Sequence, residues 1–133
     1  MKIENCKMLI LQKIKETNDY LKTVLVSCGA KAENIYTTNS VEVAKIFIFG
    51  EALRQGAVNF VITGIGSQEE IGPVLLNWIK SEGIKEEMPV VYFHSGGDEA
   101  WVMQKIKEYG ADGFLPHDVY LLKEKIINVI KDI

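Results

Sequence analysis

Residues 60–76 read FVITGIGSQEEIGPVLL. The segment Asn59–Thr63 is apolar and β-branched through its middle, as a strand covered on both faces should be. Beyond the glycines, about Glu70 to Ser81, the residues Val74, Leu75, Trp78 and Ile79 recur at three-and-four spacing, which marks a helix with an inward face. Strand, turn and helix in that order make half of a βαβ unit.

The same unit repeats in both directions along the chain. Upstream lie strand candidates Met8–Leu11 and Asn34–Thr38, and downstream Pro89–Phe93 and Gly113–Pro116. The first helix is expected over Glu16–Cys28, with Tyr20, Leu21, Val24, Leu25 and Cys28 inward, Thr17, Asn18 or Asp19 as its cap, and Gly29 as its stop. The second is expected over Ser40–Gln55, capped by Ser40, with Val43, Ile46, Phe47 and Leu53 inward. A strand at IFIF, 46–49, would leave too few residues before Asn59 for a crossover helix. The fourth helix follows GGDE at 96–99 and turns Val102, Ile106 and Tyr109 inward, with Gly110 as its stop. The fifth is expected over Val119–Ile133, with Asp118 as cap and Leu122, Ile126, Val129 and Ile133 inward.

Five such units predict an α/β fold of the flavodoxin-like (βα)5 kind: a doubly wound, parallel five-stranded sheet in the order 2-1-3-4-5, with helices on both faces. Residues 1–133 are read as a single domain with a short N-terminal tail at 1–6. A site in such a sheet lies at the carboxyl ends of the strands. Those ends are Gln12 and Lys13, Gly64, His94 and Ser95, and His117.

Composition narrows the function classes. Lys and Arg number 15 against 18 Asp and Glu, so no basic field exists to attract nucleic acid or anionic lipid. The apolar run Met8–Leu11 is too short for a signal peptide, and Val41–Leu53 is broken by charges and falls short of the ~20 residues that span a bilayer. A cytoplasmic protein is expected, with Cys6 and Cys28 as reduced thiols, since their spacing fits neither a zinc site nor a redox motif.

The run 60–76, together with MPVVYFHS at 88–95 and YGADGFLPHD at 109–118, resembles the second half of a response-regulator receiver domain. KMLILQK at 7–13 and GAKAENIYTTNS at 29–40 resemble its first half. In that family an acidic pair after the first strand holds Mg²⁺, an Asp after the third accepts the phosphoryl group, a hydroxyl residue ends the fourth and a Lys the fifth. The resemblance places Gln12 and Lys13 at the acidic pair, Gly64 at the phosphoacceptor, His94 at the hydroxyl residue, His117 at the lysine and Phe114 at the switching aromatic. Aspartyl phosphorylation needs a carboxylate nucleophile and carboxylate oxygens for the metal. The expectation is therefore a pseudo-receiver: not an enzyme, with no phosphoacceptor, no metal and no cofactor, acting through protein–protein contact.

Other motifs carry less. Lys13, His94 and His117, with backbone amides of Gly64 to Ser67, form the alternative: a degenerate pocket sensing an anion or nucleotide. A metal held by the two histidines lacks a third ligand. GGDE lacks the following Phe and the hairpin of the cyclic-dinucleotide synthases, Gly64, Gly66 and Gly72 do not make a dinucleotide fingerprint, and neither Ser27 nor Ser95 sits in a nucleophile elbow. An enzyme of another flavodoxin-like family would need a catalytic constellation these residues do not form.

The apolar residues left over are Ile48 and Phe49 on the second helix, Trp101 on the fourth, and Tyr120, Leu121 and Ile127 on the fifth. Receivers pair and signal through the fourth helix, fifth strand and fifth helix. By that resemblance Trp101, Lys105, Phe114, Tyr120 and Leu121 are expected at an interface with a partner protein or a second copy.

Overall fold

The computed structural model describes residues 1–52, 58–65, 71–81, 89–95 and 99–133, with the side chains of 51 and 52 left aside. Five parallel strands form one sheet: β1 (Met8–Leu11), β2 (Ile35–Thr38), β3 (Phe60–Gly64), β4 (Val90–His94) and β5 (Gly113–Leu115). Their order is β2-β1-β3-β4-β5, as the alternation of segments predicts. The helices are α1 (Lys15–Ser27), α2 (Val41–Ala52), α3 (Ile71–Ser81), α4 (Glu99–Tyr109) and α5 (Val119–Asp132).

Two apolar layers hold the sheet. On one face Met8, Ile10, Phe60, Ile62 and Leu115 pack with Leu21 and Leu25 of α1 and with Leu122, Ile126 and Ile130 of α5. On the other, Leu9, Leu11, Val61, Val91 and Phe93 pack with α2 and α3. Every residue of β1 and β3 is buried because both strands are central, whereas β2 and β5 close the edges half exposed. Each fully buried Leu, Ile or Phe contributes about 1.5–3 kcal/mol from removal of apolar surface alone.

The bounds of four strands differ by one residue from those the sequence suggests, β2 and β5 being shorter and β3 and β4 shifted by one, for local reasons. Asn34 belongs to a 3-10 turn, Ala32–Asn34, and its Nδ2 donates to the Glu4 carbonyl at 3.1 Å. Asn59 stops short of β3, its Oδ1 accepting from the Lys7 N–H at 2.9 Å. Pro89 and Pro116 lie just outside β4 and β5; a proline has no N–H to give a ladder.

The helix faces need corrections too. Ile14, not Thr17, Asn18 or Asp19, stands at the start of α1, and Asn18 is buried, its Nδ2 donating to the Thr38 carbonyl at 3.0 Å. Tyr20 is exposed. On α2, Val43 and Ile46 face outward, Ile46 at 69% exposure, while Ile48 is buried with Ala44. Apolar residues lie on every side of this helix between its few charges, so its sequence marks no single face, and the sheet selects 44 and 48. Val74 of α3 is likewise exposed. Leu53, Glu70 and residues 96–98 of the GGDE run lie outside the described residues; Glu99 opens α4.

The expected stops and caps at the other ends are present. Gly29 and Gly110 adopt φ of +112° and +74°, the left-handed turn that ends α1 and α4. Ser40 Oγ accepts from the Val43 N–H at 3.3 Å, and Asp118 accepts from the Tyr120 and Leu121 N–H groups at 3.0 and 3.1 Å.

Residues 1–6 are tied to the body rather than trailing from it. Ile3 packs against the first core layer, Cys6 is fully buried, and the Met1 ammonium donates to the carbonyls of Lys131 and Ile133 at 3.4 and 3.5 Å. Cys6 and Cys28 are free thiols; burial pushes Cys6 up to about 11 and Cys28 upward, which keeps both protonated and unreactive. No helix among the described residues is long and apolar enough to cross a membrane.

Candidate functional site

The parallel register sets Gly64 beside His94, and Gln12 follows Leu11, whose partner in β3 is Thr63. Gln12, Gly64 and His94 therefore stand at one level across β1, β3 and β4, turned toward the face that α1 and α5 cover. Thr63 points to the opposite face.

What fills this level is side chain. Gln12 is only 7% exposed and its carboxamide lies over Gly64: a Cβ added to Gly64 would meet the amide oxygen and stand 3.2 Å from the amide carbon. The glycine is required by space, since its φ is not in the left-handed region. The last position of β3 thus has neither a side chain nor room for one while Gln12 is in place.

His94 is 3% exposed, and its ring lies against that of the exposed His117, with centroids 4.5 Å apart and planes at 33°. Burial, and secondarily the neighbouring His117, push His94 down to about 4, so it is a neutral imidazole at physiological pH. Lys13 is exposed and Ser95 half-buried at the rim. The structure thus brings Gln12 onto Gly64 and His94 onto His117.

Thr63 was not legible as a site residue. It is fully buried, and its Oγ1, Gln12 Nε2 and His94 Nε2 make no hydrogen bond among the described residues. On the far side Gly72 of α3 lets the helix close onto the strand end, where an added Cβ would stand 2.6 Å from the Gly64 carbonyl oxygen. The order of the strands was the signal available for Thr63, since it puts the residue before Gly64 in the most covered strand.

Solved structures share this fold along nearly the whole chain. The response regulator receiver protein of Burkholderia phymatum matches with a TM-score of 0.74 at 14% identity, over 95% of this chain and 95% of that one. The signal receiver domain of a signal transduction histidine kinase from Syntrophus aciditrophicus gives 0.71 at 17% identity, over 96% and 92%. The fold is that of a receiver domain. A further match, at TM-score 0.70 and 20% identity over 96% and 92%, is the N-terminal domain of an uncharacterized protein from Wolinella succinogenes. No family model and no curated protein matches the sequence.

Within this receiver fold the expected interface residues divide. Tyr120 and Leu121 are exposed at 81% and 56%. Trp101 and Phe114, expected outside, are half-buried against the second core layer. Lys105 lies 5.8 Å from the ring centroids of both Trp101 and Tyr109 and pairs with Glu108 at 3.3 Å. Its ammonium shields the aromatic ring that the sequence leaves over, so α5 contributes more open apolar surface to this face than α4 does.

Proposed function

We propose that this chain is a non-enzymatic signalling module of the receiver type that engages a protein partner, or a second copy, through α4, β5 and α5 without aspartyl phosphorylation. The observation that carries the reading is the Gln12 carboxamide seated on Gly64. A phosphoryl group needs a carboxylate there and an open approach to it. Here a carboxamide closes the approach, and a carboxamide binds Mg²⁺ far less well than a carboxylate. Tyr120 and Leu121, open on α5, support the choice of face.

Incubation with Mg²⁺ and acetyl phosphate, or with beryllofluoride, is expected to add no mass and to leave the amide resonances of Gly64, His94 and Trp101 unmoved. A phosphoryl adduct on an Asp would overturn the reading.

A second reading, a sensor of a small anion or nucleotide, is favoured by the buried Gln12 Nε2 and His94 Nε2, which make no hydrogen bond among the described residues. It predicts that inorganic phosphate or ATP at ~100 times its dissociation constant raises native stability by about 2.7 kcal/mol, seen as a rise in Tm. An unchanged Tm at millimolar ligand removes it.

A further inference from the structure

On the side of α1 and α2 the sheet ends at β2, and the ladder fixes which main-chain groups of that strand turn outward. Val90 donates its N–H to the Asn59 carbonyl at 3.0 Å, and Phe60 donates its own to the Lys7 carbonyl at 3.3 Å. Residues 59 and 61 therefore bond toward β4 and residues 60 and 62 toward β1, because successive residues of a strand turn to opposite neighbours. In β1 this leaves Met8 and Ile10 for β2. Their register partners are Ile35 and Thr37. A residue of a parallel ladder bonds the two that flank its partner, so Tyr36 turns its main chain to β1 while Ile35 and Thr37 turn theirs outward. The Ile35 N–H goes to the Ala32 carbonyl. Thr37 keeps both groups at the edge, and among the described residues no strand lies beyond it.

Above this edge α2 has an uncovered apolar flank. Its Lys45 lies over the Trp78 ring of α3 at 5.7 Å, while Phe47 stacks on Tyr36 of β2 with centroids 4.8 Å apart. The Phe47 side is therefore the edge side. Val43 and Gly50 lie on the same stripe, at i−4 and i+3, and Ile46 stands next to it. Val43 and Ile46 are exposed, and a Cβ added to Gly50 would meet nothing within 4 Å. Below the sheet, the edge side of α1 is marked by Asn18, which reaches the Thr38 carbonyl. That flank carries Lys15, Asp19 and Lys22, charges of both signs.

We propose that a second copy of this chain covers the edge, with β2 pairing antiparallel to its own copy about a two-fold axis beside Thr37, so that two sheets become one of ten strands. The proposal does not depend on the partner face at α4, β5 and α5, which it leaves open on both copies. Three features select a copy of the chain as the occupant. A two-fold axis lets the outward N–H of each Thr37 donate to the other's carbonyl, an exchange an antiparallel pair makes naturally. The same axis, normal to the sheet, sets the two α2 helices side by side and antiparallel. Each lies over β1 and β2, roughly half a strand spacing inside the edge, so strands about 4.8 Å apart put the helix axes about 10 Å apart, the distance at which helices pack. Ile46 then meets the copy's Ile46 near the axis, and the open space at Gly50 lets the helices approach. Finally, neither flank carries charge of one sign, so a copy is not repelled.

The test is sedimentation of the full chain across about 5–500 µM, with hydrogen exchange read by NMR on the same samples. The expected result is a species of twice the chain mass in which the Thr37 amide gains protection as concentration rises. Ile46→Glu, at an exposed position, should weaken the dimer at least about tenfold while leaving the circular dichroism of the monomer unchanged. Thr37→Pro, which removes only an outward N–H, should weaken it as well. A chain that stays monomeric over the whole range overturns the proposal. So does a dimer that both variants leave intact, or one that Tyr120→Glu dissociates and Ile46→Glu spares, which would place the contact on α5.

Discussion

Gly64→Ala should lower the unfolding free energy by about 2–3 kcal/mol. The conformation at this residue is open to any amino acid, and alanine in a strand is intrinsically favoured over glycine by about 0.5–1 kcal/mol. Against that small gain stands the Gln12 carboxamide, which the new methyl group would overlap. Forcing a methyl into a filled core costs about 1–3 kcal/mol, and pushing a buried amide from its seat adds a similar amount. The diagnostic is a double-mutant cycle in urea: with Gln12→Ala in the background, the cost of Gly64→Ala should fall by at least about 1 kcal/mol. A cost that is equal in both backgrounds, or absent, would show that Gln12 does not occupy the space.

His94 sets the second large effect. Its folded-state value of about 4 lies below the ordinary 6.5, so between these values the unfolded chain takes up a proton that the folded chain refuses. Stability is therefore unaffected by this residue above about pH 6.5, falls as pH drops from 6.5 toward 4, and falls no further below that. A displacement of this size corresponds to about 3 kcal/mol in total. Carboxylates titrate in the same range, so the measurement is the difference between the parent and His94→Leu, followed by urea midpoints from pH 7.5 to 4. That difference should shift in favour of the variant by about 3 kcal/mol. A parallel pair of curves would mean the imidazole is hydrated or already paired in the folded chain.

The fold was legible because its strands differ from its helices in kind. A run such as VVYF between Pro89 and His94 has no helical period, and α5 shows one over its whole length. Helix faces were legible only where polar residues marked the outside. In α5 they do, and Leu122, Ile126 and Val129 are buried as read; in α2 they do not, and Ile46 and Ile48 exchange roles. Local polar contacts also escaped the pattern: Asn18 reads as a cap, but its partner is a carbonyl twenty residues away on β2.

For the site, sequence position was enough to bring Gln12, Gly64, His94 and His117 to one end of the sheet. It could not say that the Gln12 amide would lie down over the glycine, nor that the two imidazoles would meet ring to ring, because both depend on rotamers chosen by three-dimensional packing.

The meeting of the Met1 ammonium with the carbonyl of Ile133 gives the molecule a single doorway. Residues 1 and 133 lie within 3.5 Å of each other, at the pole where the strands begin, a closeness that would let residues 1–133 be spliced as a cassette into a surface loop of another fold without prising that loop apart. Mounted that way it would hang from its stem with Gln12, His94 and His117 at the far tip.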